Sequence, residues 1–433
     1  MVIVMTAIGC SDKQESIDDG QFTDTGNSNT GDDHLEDTGS VDLTCESLEQ
    51  LPERSFLPLY ETYIDRLSPC SEVWQASAAG EGMIVELFLD TPPFNEDDNG
   101  LEIRIENLLG EPILDWQSLT DFSFSQSSSG EFLIGLRNSD PLKSIDYTLE
   151  IDCQANCDTK FTRYPLFFMH GLAGFDTLLS VFDYWNGVEA ALAGAGYKTE
   201  IQGVSAFDPT PVRAEQWRDH LEEMFLQTGV RKVNLIAHSQ GGLDARYYAT
   251  MLDDDHRVAS ITTIATPHYG TSIASLLSGI VDAGPTDGQI IDALVSGAAE
   301  LFGTSGDSFS AQLAQMTPEN MITFNQDVAD VVGIQYFSWA GRSCRYLQWS
   351  CQGQLDGETV SSYFLLSHAY IETQEGYNDG LVPVSSAMWG EFLGTLPADH
   401  IDQVGHRFDL SVQALDAPSF YLSEAERLAD AGL

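Results

Sequence analysis

A chain of 433 residues exceeds one ordinary core and implies two domains with flanking segments. Its 67 acidic residues against 19 basic ones, a formal charge of -48, leave it no means of gripping phosphate and exclude nucleic acid as a partner. The same charge favours solubility, above all in salty surroundings that screen self-repulsion. No stretch approaches the length of a membrane-spanning helix, and seven cysteines without zinc-like CxxC pairs imply disulfides and an oxidising compartment.

Met1 to Cys10 is a short apolar stretch ending in Ala7-Ile8-Gly9-Cys10, followed at once by polar, acidic residues. It resembles the lipobox of bacterial lipoproteins and makes residues 1–10 a signal remnant, which implies that the signal peptide before Cys10 is removed and that a lipidated Cys10 anchors the chain to the membrane. It departs from that pattern in lacking a basic leader and in carrying Ala7 where leucine is usual. Setting Cys10 aside leaves six cysteines to pair. Residues 11–44 hold almost no apolar side chains, and Asp12 to Glu49 carry twelve acidic groups against the single Lys13. Such a segment cannot bury enough surface to offset its chain entropy and reads as a disordered tether.

Residues 45–158 alternate apolar and polar side chains over Met83–Leu89, Leu101–Ile105, Glu131–Leu136 and Tyr147–Ile151, with turn-rich segments between. That pattern predicts a small antiparallel β-sandwich, stapled near its ends by Cys45, Cys70, Cys153 and Cys157 in a pairing that spacing does not fix. It resembles the jelly-roll modules that accompany many secreted bacterial hydrolases, and it contains no catalytic constellation.

Residues 159–433 change character. Tyr164–Met169 is a buried strand that opens into the loop His170-Gly171-Leu172; Tyr184–Gly194 is helical, Tyr197–Val204 a strand, and Arg213–Thr228 a helix with Ala214, Trp217, Leu221, Met224 and Phe225 on one face. Next comes Val233-Asn234-Leu235-Ile236-Ala237-His238-Ser239-Gln240-Gly241-Gly242, an apolar strand that turns through small residues into the helix Leu243–Met251. A serine held there, with small residues two places before and after it, forms a nucleophile elbow that lifts its hydroxyl clear of the sheet. Ala237 stands where glycine is usual. With the strand Val258–Ile264 beyond it, the alternation predicts α/β architecture, a doubly wound and mostly parallel sheet.

Such a fold places the acid and then the histidine after the nucleophile. His400 lies in a loop beyond the strand Glu391–Leu396, whereas His268 sits just past a strand and reads as structural, and His256 as a surface residue. Asp379, in Asn378-Asp379-Gly380 with Leu381 and Val382 following, stands 21 residues before His400. A carboxylate there would fix the imidazole tautomer and stabilise its cation. Asp356 and Asp402 are its rivals.

The motifs His170-Gly171-Leu172-Ala173-Gly174-Phe175-Asp176, Asp183-Tyr184-Trp185, Arg213-Ala214-Glu215-Gln216, Val233–Gly242, Ala265-Thr266-Pro267-His268-Tyr269-Gly270 and Asn378–Val382 occur in order across this region. Together they resemble the secreted triacylglycerol lipases of Pseudomonas and Burkholderia, an α/β-hydrolase family. The resemblance implies hydrolysis of lipid esters at an oil–water interface through an acyl-enzyme on Ser239, an oxyanion hole from the backbone N–H groups of Leu172 and Gln240, and a lid within about 271–335. A dedicated foldase partner accompanies some members. It further implies a structural Ca2+ held by Asp402, Asp356 and the carbonyls of His406 and Leu410, with oxygen ligands of the kind calcium takes. A carboxylesterase or acyltransferase with the same triad, and a surface binding protein with a vestigial hydrolase, are the alternatives.

Overall fold

Apolar residues at every second position build the N-terminal half into two facing sheets. The computed structural model describes residues 44–91, 101–118, 121–172, 184–278, 312–345, 358–406 and 412–433, so the expected signal remnant and nearly all of the tether lie outside them. Nine strands follow: β1 (Glu49–Gln50), β2 (Thr62–Leu67), β3 (Ser71–Ala79), β4 (Ile84–Asp90), β5 (Leu101–Glu106), β6 (Pro112–Gln117), β7 (Asp121–Ser125), β8 (Gly130–Asn138) and β9 (Ile145–Ala155). They form a five-stranded sheet in the order β1-β3-β8-β5-β6 and a four-stranded sheet in the order β2-β9-β4-β7. The inner faces share one core that includes Val73, Val85, Leu87, Ile103, Phe132, Ile134, Leu149 and Ile151. Disulfides join Cys45 to Cys70 and Cys153 to Cys157.

Among the described residues the second half holds six strands: β10 (Leu166–Met169), β11 (Thr199–Ile201), β12 (Val233–His238), β13 (Val258–Ile264), β14 (Gln335–Arg342) and β15 (Glu391–Pro397). They pair in the order β11-β10-β12-β13-β14-β15, every neighbour parallel. Consecutive side chains of β10 and β12 point to opposite faces, both covered, which is why these strands read as largely apolar runs, broken in β12 by Asn234. Phe168 and Ile236 join a cluster with α1 (Val188–Gly194) and, near the C-terminus, the helix Ala417–Asp430. Phe167 and Leu235 join another with α2 (Thr210–Thr228) and α3 (Gln240–Met251). Helix α1 starts at Val188 rather than at Tyr184 because Gly187 holds a left-handed φ of 74° at its N-cap. The strand expected over Tyr197–Val204 shortens to the three residues of edge strand β11.

The flanks of the expected lid insertion belong to the core. Ile273 and Leu276 of α4 (Ser272–Leu277) and Met321 of α5 (Pro318–Asp327) are buried in one cluster with Leu243, Phe364 and Leu381. Residues 279–311 lie outside the described residues.

The chain from Thr44 to Leu433 is one compact unit, so the sandwich is docked onto the second half rather than strung beside it. Glu131 of β8 carries that junction. Its side chain is only 1% exposed and accepts from Arg163 Nε at 2.6 Å and Arg231 Nε at 3.0 Å. Arg163 also lies over the Phe56 ring at 3.6 Å, and Ser129 Oγ donates to the Gly196 carbonyl at 3.0 Å. Replacing Glu131 by Gln takes from Arg163 its carboxylate partner and leaves Arg231 with Glu53 alone, beside a buried amide. The expected loss is roughly 1–3 kcal/mol in urea unfolding, against under about 1 kcal/mol for Glu102→Gln in the more open Arg137 pair. Equal losses for the two variants would mean that Glu131 contributes no more than a surface ion pair.

Candidate active site

Strand β12 ends at His238 and α3 begins at Gln240, so the chain reverses within one residue. Ser239 bears that reversal with φ 56° and ψ -129°, a backbone state that side-chain-bearing residues adopt only under constraint. The constraint is visible around it. Ser239 N–H donates to the Ile264 carbonyl at 2.9 Å, and its own carbonyl accepts from Thr266 Oγ1 at 2.8 Å. Helix α3 crosses β10 so closely that a Cβ on Gly241 would fall 2.3 Å from the Met169 carbonyl oxygen. Only glycine fits there, whereas Ala237, fully buried in β12, is accommodated.

The Ser239 hydroxyl meets His400, which the loop after β15 delivers from 161 residues away: Oγ to Nε2 is 2.9 Å. His400 Nδ1 lies 2.8 Å from Asp379 Oδ2. Asp379 is fully buried, and its Oδ1 accepts from the backbone N–H groups of Leu381 at 3.0 Å and Val382 at 2.8 Å. The Asn378-Asp379-Gly380 turn therefore also fixes the carboxylate that it presents. With both carboxylate oxygens accepting, His400 carries its proton on Nδ1, and Nε2 is left to accept from the serine. Of the two rivals for the acid, Asp402 points elsewhere and Asp356 lies outside the described residues.

The two expected oxyanion donors flank the nucleophile. Gln240 opens α3, where backbone N–H groups are unsatisfied and the helix dipole favours negative charge. Leu172 sits in the turn after β10 and packs against the α3–α4 cluster. The loop between is tied down by a residue that helical spacing did not single out. Arg213, fully buried in α2, donates to the His170 carbonyl at 2.5 Å, the Ser205 carbonyl at 2.6 Å and Asp244 Oδ2 at 2.7 Å. Arg213 directly precedes Ala214 of the apolar face, and its burial is the missed signal. His170 accepts from Val204 N–H at 3.0 Å, and burial first, then the nearby Arg213 charge, pushes its pKa down to about 3, so it stays neutral. His268 is likewise buried and structural, 3.0 Å from Thr263 Oγ1 and 3.2 Å from Arg246, while His256 is exposed.

Next to the histidine loop three carboxyl groups are buried together: Glu358, Asp399 and Asp402. Asp399 caps its own loop, accepting from Ser361, Ile401 and Asp402. The acid lying against Asp402 is Glu358, two residues beyond the expected Asp356. Glu358 Oε2 accepts from Ala414 N–H at 2.8 Å, while Oε1 accepts no hydrogen bond. Burial first, and then the charges of Asp402 and Asp399, hold the Glu358 carboxyl far above the usual carboxylate range. His406 stands at the end of the same loop, and Leu410 lies outside the described residues. Among the described residues no three Asp, Glu, His or Cys side chains converge on one metal-sized point.

A model of the alpha/beta hydrolase fold matches residues 164–305. The chain is 32% identical over 293 residues to a triacylglycerol lipase of Vibrio cholerae, spanning 63% of this chain and 89% of that protein. A triacylglycerol lipase of Burkholderia plantarii is 31% identical over 285 residues, 56% of this chain and 79% of its own length. One of Pseudomonas fragi is 29% identical over 302 residues, 64% and 99% respectively. The family model lies wholly within the elbow half. With identity near one third over most of a relative's length, on a parallel sheet bearing a serine elbow, the chain belongs to the triacylglycerol lipase family of the α/β-hydrolase fold and is a carboxylic ester hydrolase.

Proposed function

We propose that the protein cleaves triacylglycerols at an oil–water interface, with Ser239 as nucleophile, His400 as base and then acid, and Asp379 as the group that orients and stabilises His400. One observation carries this reading: the continuous chain from Ser239 Oγ through His400 to Asp379, at 2.9 and 2.8 Å, at the tip of a strained elbow. Ser239 Oγ attacks the ester carbonyl as its proton passes to His400 Nε2. The tetrahedral oxyanion then lies before the N–H groups of Gln240 and Leu172, each worth on the order of 3 kcal/mol of barrier. His400 returns the proton to the leaving diacylglycerol alkoxide, and water, deprotonated by the same nitrogen, releases the fatty acid. Ser239→Ala is expected to lose turnover and labelling by a fluorophosphonate while melting like the wild type. His400→Ala and Asp379→Ala should each lower kcat by several orders of magnitude, about 10⁴-fold for the acid. Labelling that persists in Ser239→Ala would place the nucleophile elsewhere.

For Ca2+ we propose Asp402 and Glu358 as the acidic ligands, with carbonyl oxygens, His406 among them, completing the sphere. Two buried carboxylates and an unused oxygen on Glu358 suit a hard cation, and the absence of a third converging carboxylate among the described residues leaves the remaining places to carbonyls. The ion would neutralise the buried charge and brace the loop that holds His400. It takes no part in bond making. Chelation by EDTA should therefore lower the melting temperature, since an ion bound only to the folded state contributes about 2.7 kcal/mol at a hundred times its Kd. Glu358→Gln should melt at one temperature with or without calcium. A calcium response that survives in Glu358→Gln would remove that residue from the site.

The disulfides Cys45–Cys70 and Cys153–Cys157 support export to an oxidising compartment. A lipid anchor at Cys10 and a foldase for folding after export belong to the same proposal, though Cys10 itself lies outside the described residues. Metabolic labelling with an alkyne fatty acid is expected to mark the full-length chain and to vanish in Cys10→Ser. Equal labelling of both would exclude the anchor.

A further inference from the structure

Behind the triad lies a line of buried polar groups that none of the proposed chemical steps uses. The Tyr184 hydroxyl is 3.0 Å from the Gly171 N–H and 2.7 Å from His238 Nδ1. The amide can only donate, so Tyr184 accepts from Gly171, and its single proton goes to His238 Nδ1. The His238 ring proton is therefore on Nε2. Burial above all, with His400 beside it, holds His238 well below the usual histidine range, so the ring stays neutral with that one proton.

On the other side of this ring stands Gln403. Its Nε2 donates to Asp379 Oδ2 at 2.9 Å. The amide must turn its NH2 to the carboxylate, because two acceptors repel, and this leaves Oε1 on the other side. Gln403 Oε1 and His238 Nε2 are both buried without an aligned hydrogen bond, and the two side chains adjoin. Each is the complement the other lacks, a donor facing an acceptor. The sheet makes room for this arrangement: a Cβ on Gly341 of β14 would lie 1.9 Å from Gln403 Nε2 and 2.7 Å from Asp379 Cβ. The His238 ring also backs the His400 ring, with centroids 4.7 Å apart.

We infer that Tyr184, His238 and Gln403 are positioning residues forming one directional hydrogen-bond relay that ties the oxyanion loop at Gly171 to the acid Asp379. None of the three touches the reacting atoms. The relay rests on the reading of Ser239, His400 and Asp379 as the triad and adds to it a link between the two ends of the site. Three links are formed, Gly171 N–H to Tyr184, Tyr184 O–H to His238 and Gln403 N–H to Asp379; the fourth, His238 Nε2–H to Gln403 Oε1, is the one the proposal adds, in competition with the neighbouring His400 backbone. Removing Tyr184 or Gln403 takes away the tie at Gly171 or at Asp379 and frees that end to drift.

The test uses the full chain and a soluble ester, p-nitrophenyl butyrate. Tyr184→Phe and Gln403→Leu should each lower kcat roughly 10- to 100-fold, the scale of a small misplacement of reacting groups. KM should stay within about two-fold, since ground-state binding is untouched. The double variant should be no slower than the slower single, because a relay is cut only once. Gln403→Met, which keeps the volume without the polar ends, replaces Gln403→Leu if the latter does not fold. If either single variant keeps kcat within about two-fold of the wild type, or the two reductions multiply in the double, the relay is wrong. Ser239→Ala run alongside separates the two failures. An active Ser239→Ala overturns the triad itself, whereas an inactive one beside wild-type rates for Tyr184→Phe and Gln403→Leu overturns the relay alone.

Discussion

The catalytic half is arranged around one strained residue. A positive φ at a non-glycine costs on the order of 1–3 kcal/mol and persists only where its surroundings over-determine it. At Ser239 three elements do so. Strand β13 accepts its N–H, Thr266 donates to its carbonyl, and α3 leans on β10 through a glycine that admits no side chain. Because β12 is central in the order β11-β10-β12-β13-β14-β15, the hydroxyl emerges at the middle of the sheet's carboxyl edge. Loops from β10 on one side and from beyond β14 and β15 on the other then reach it. This is where ligands of open parallel sheets bind.

That geometry explains what was legible beforehand. A parallel strand covered on both faces is predominantly apolar and β-branched, so β12 and β13 stand out despite Asn234, Ser260 and the threonines, and β13 is Val258–Ile264 just as its composition indicates. The elbow needs small residues at fixed offsets, and Asn378-Asp379-Gly380 needs its turn. These local requirements show in local sequence. Strand β3 was missed because its buried residues include Gln75, Ser77 and three alanines, which carry no alternating apolar signal. The start of α1 was misplaced because nothing in the sequence marks the left-handed turn at Gly187 as an N-cap. Gln403 and Glu358 meet partners 24 and 44 residues away, Asp379 and Asp402, and no periodicity reports such a pairing.

In a chain with 19 basic residues against 67 acidic ones, the placement of the few cations is informative. Arg246 is buried, donating to the Val328 carbonyl at 2.9 Å and lying 3.6 Å from the Trp389 ring centre. Arg163 and Arg231 converge on Glu131 at the junction of the two halves. Surface repulsion among the remaining acids falls with added salt, while these partly or fully buried pairs are screened far less. High ionic strength should therefore relax the surface and leave the internal ties in place.

The tie that matters most for chemistry is Arg213 to Asp244, a pair with both side chains at 0% exposure. A buried ion pair is weak evidence of stability, because desolvating two charges offsets most of their attraction. Its effect is geometric. Asp244 lies in the second turn of α3, the helix that begins with the Gln240 N–H, and burial raises its pKa against the opposing pull of Arg213. Arg213 spends its other nitrogens on the carbonyls of His170 and Ser205. The loop leading to Leu172 is thus held to the same helix that supplies the second N–H. In the proposed oxyanion hole, two donors from segments some seventy residues apart would face one oxygen only if something fixed their separation, and a single guanidinium bridges the loop and the helix that carry them.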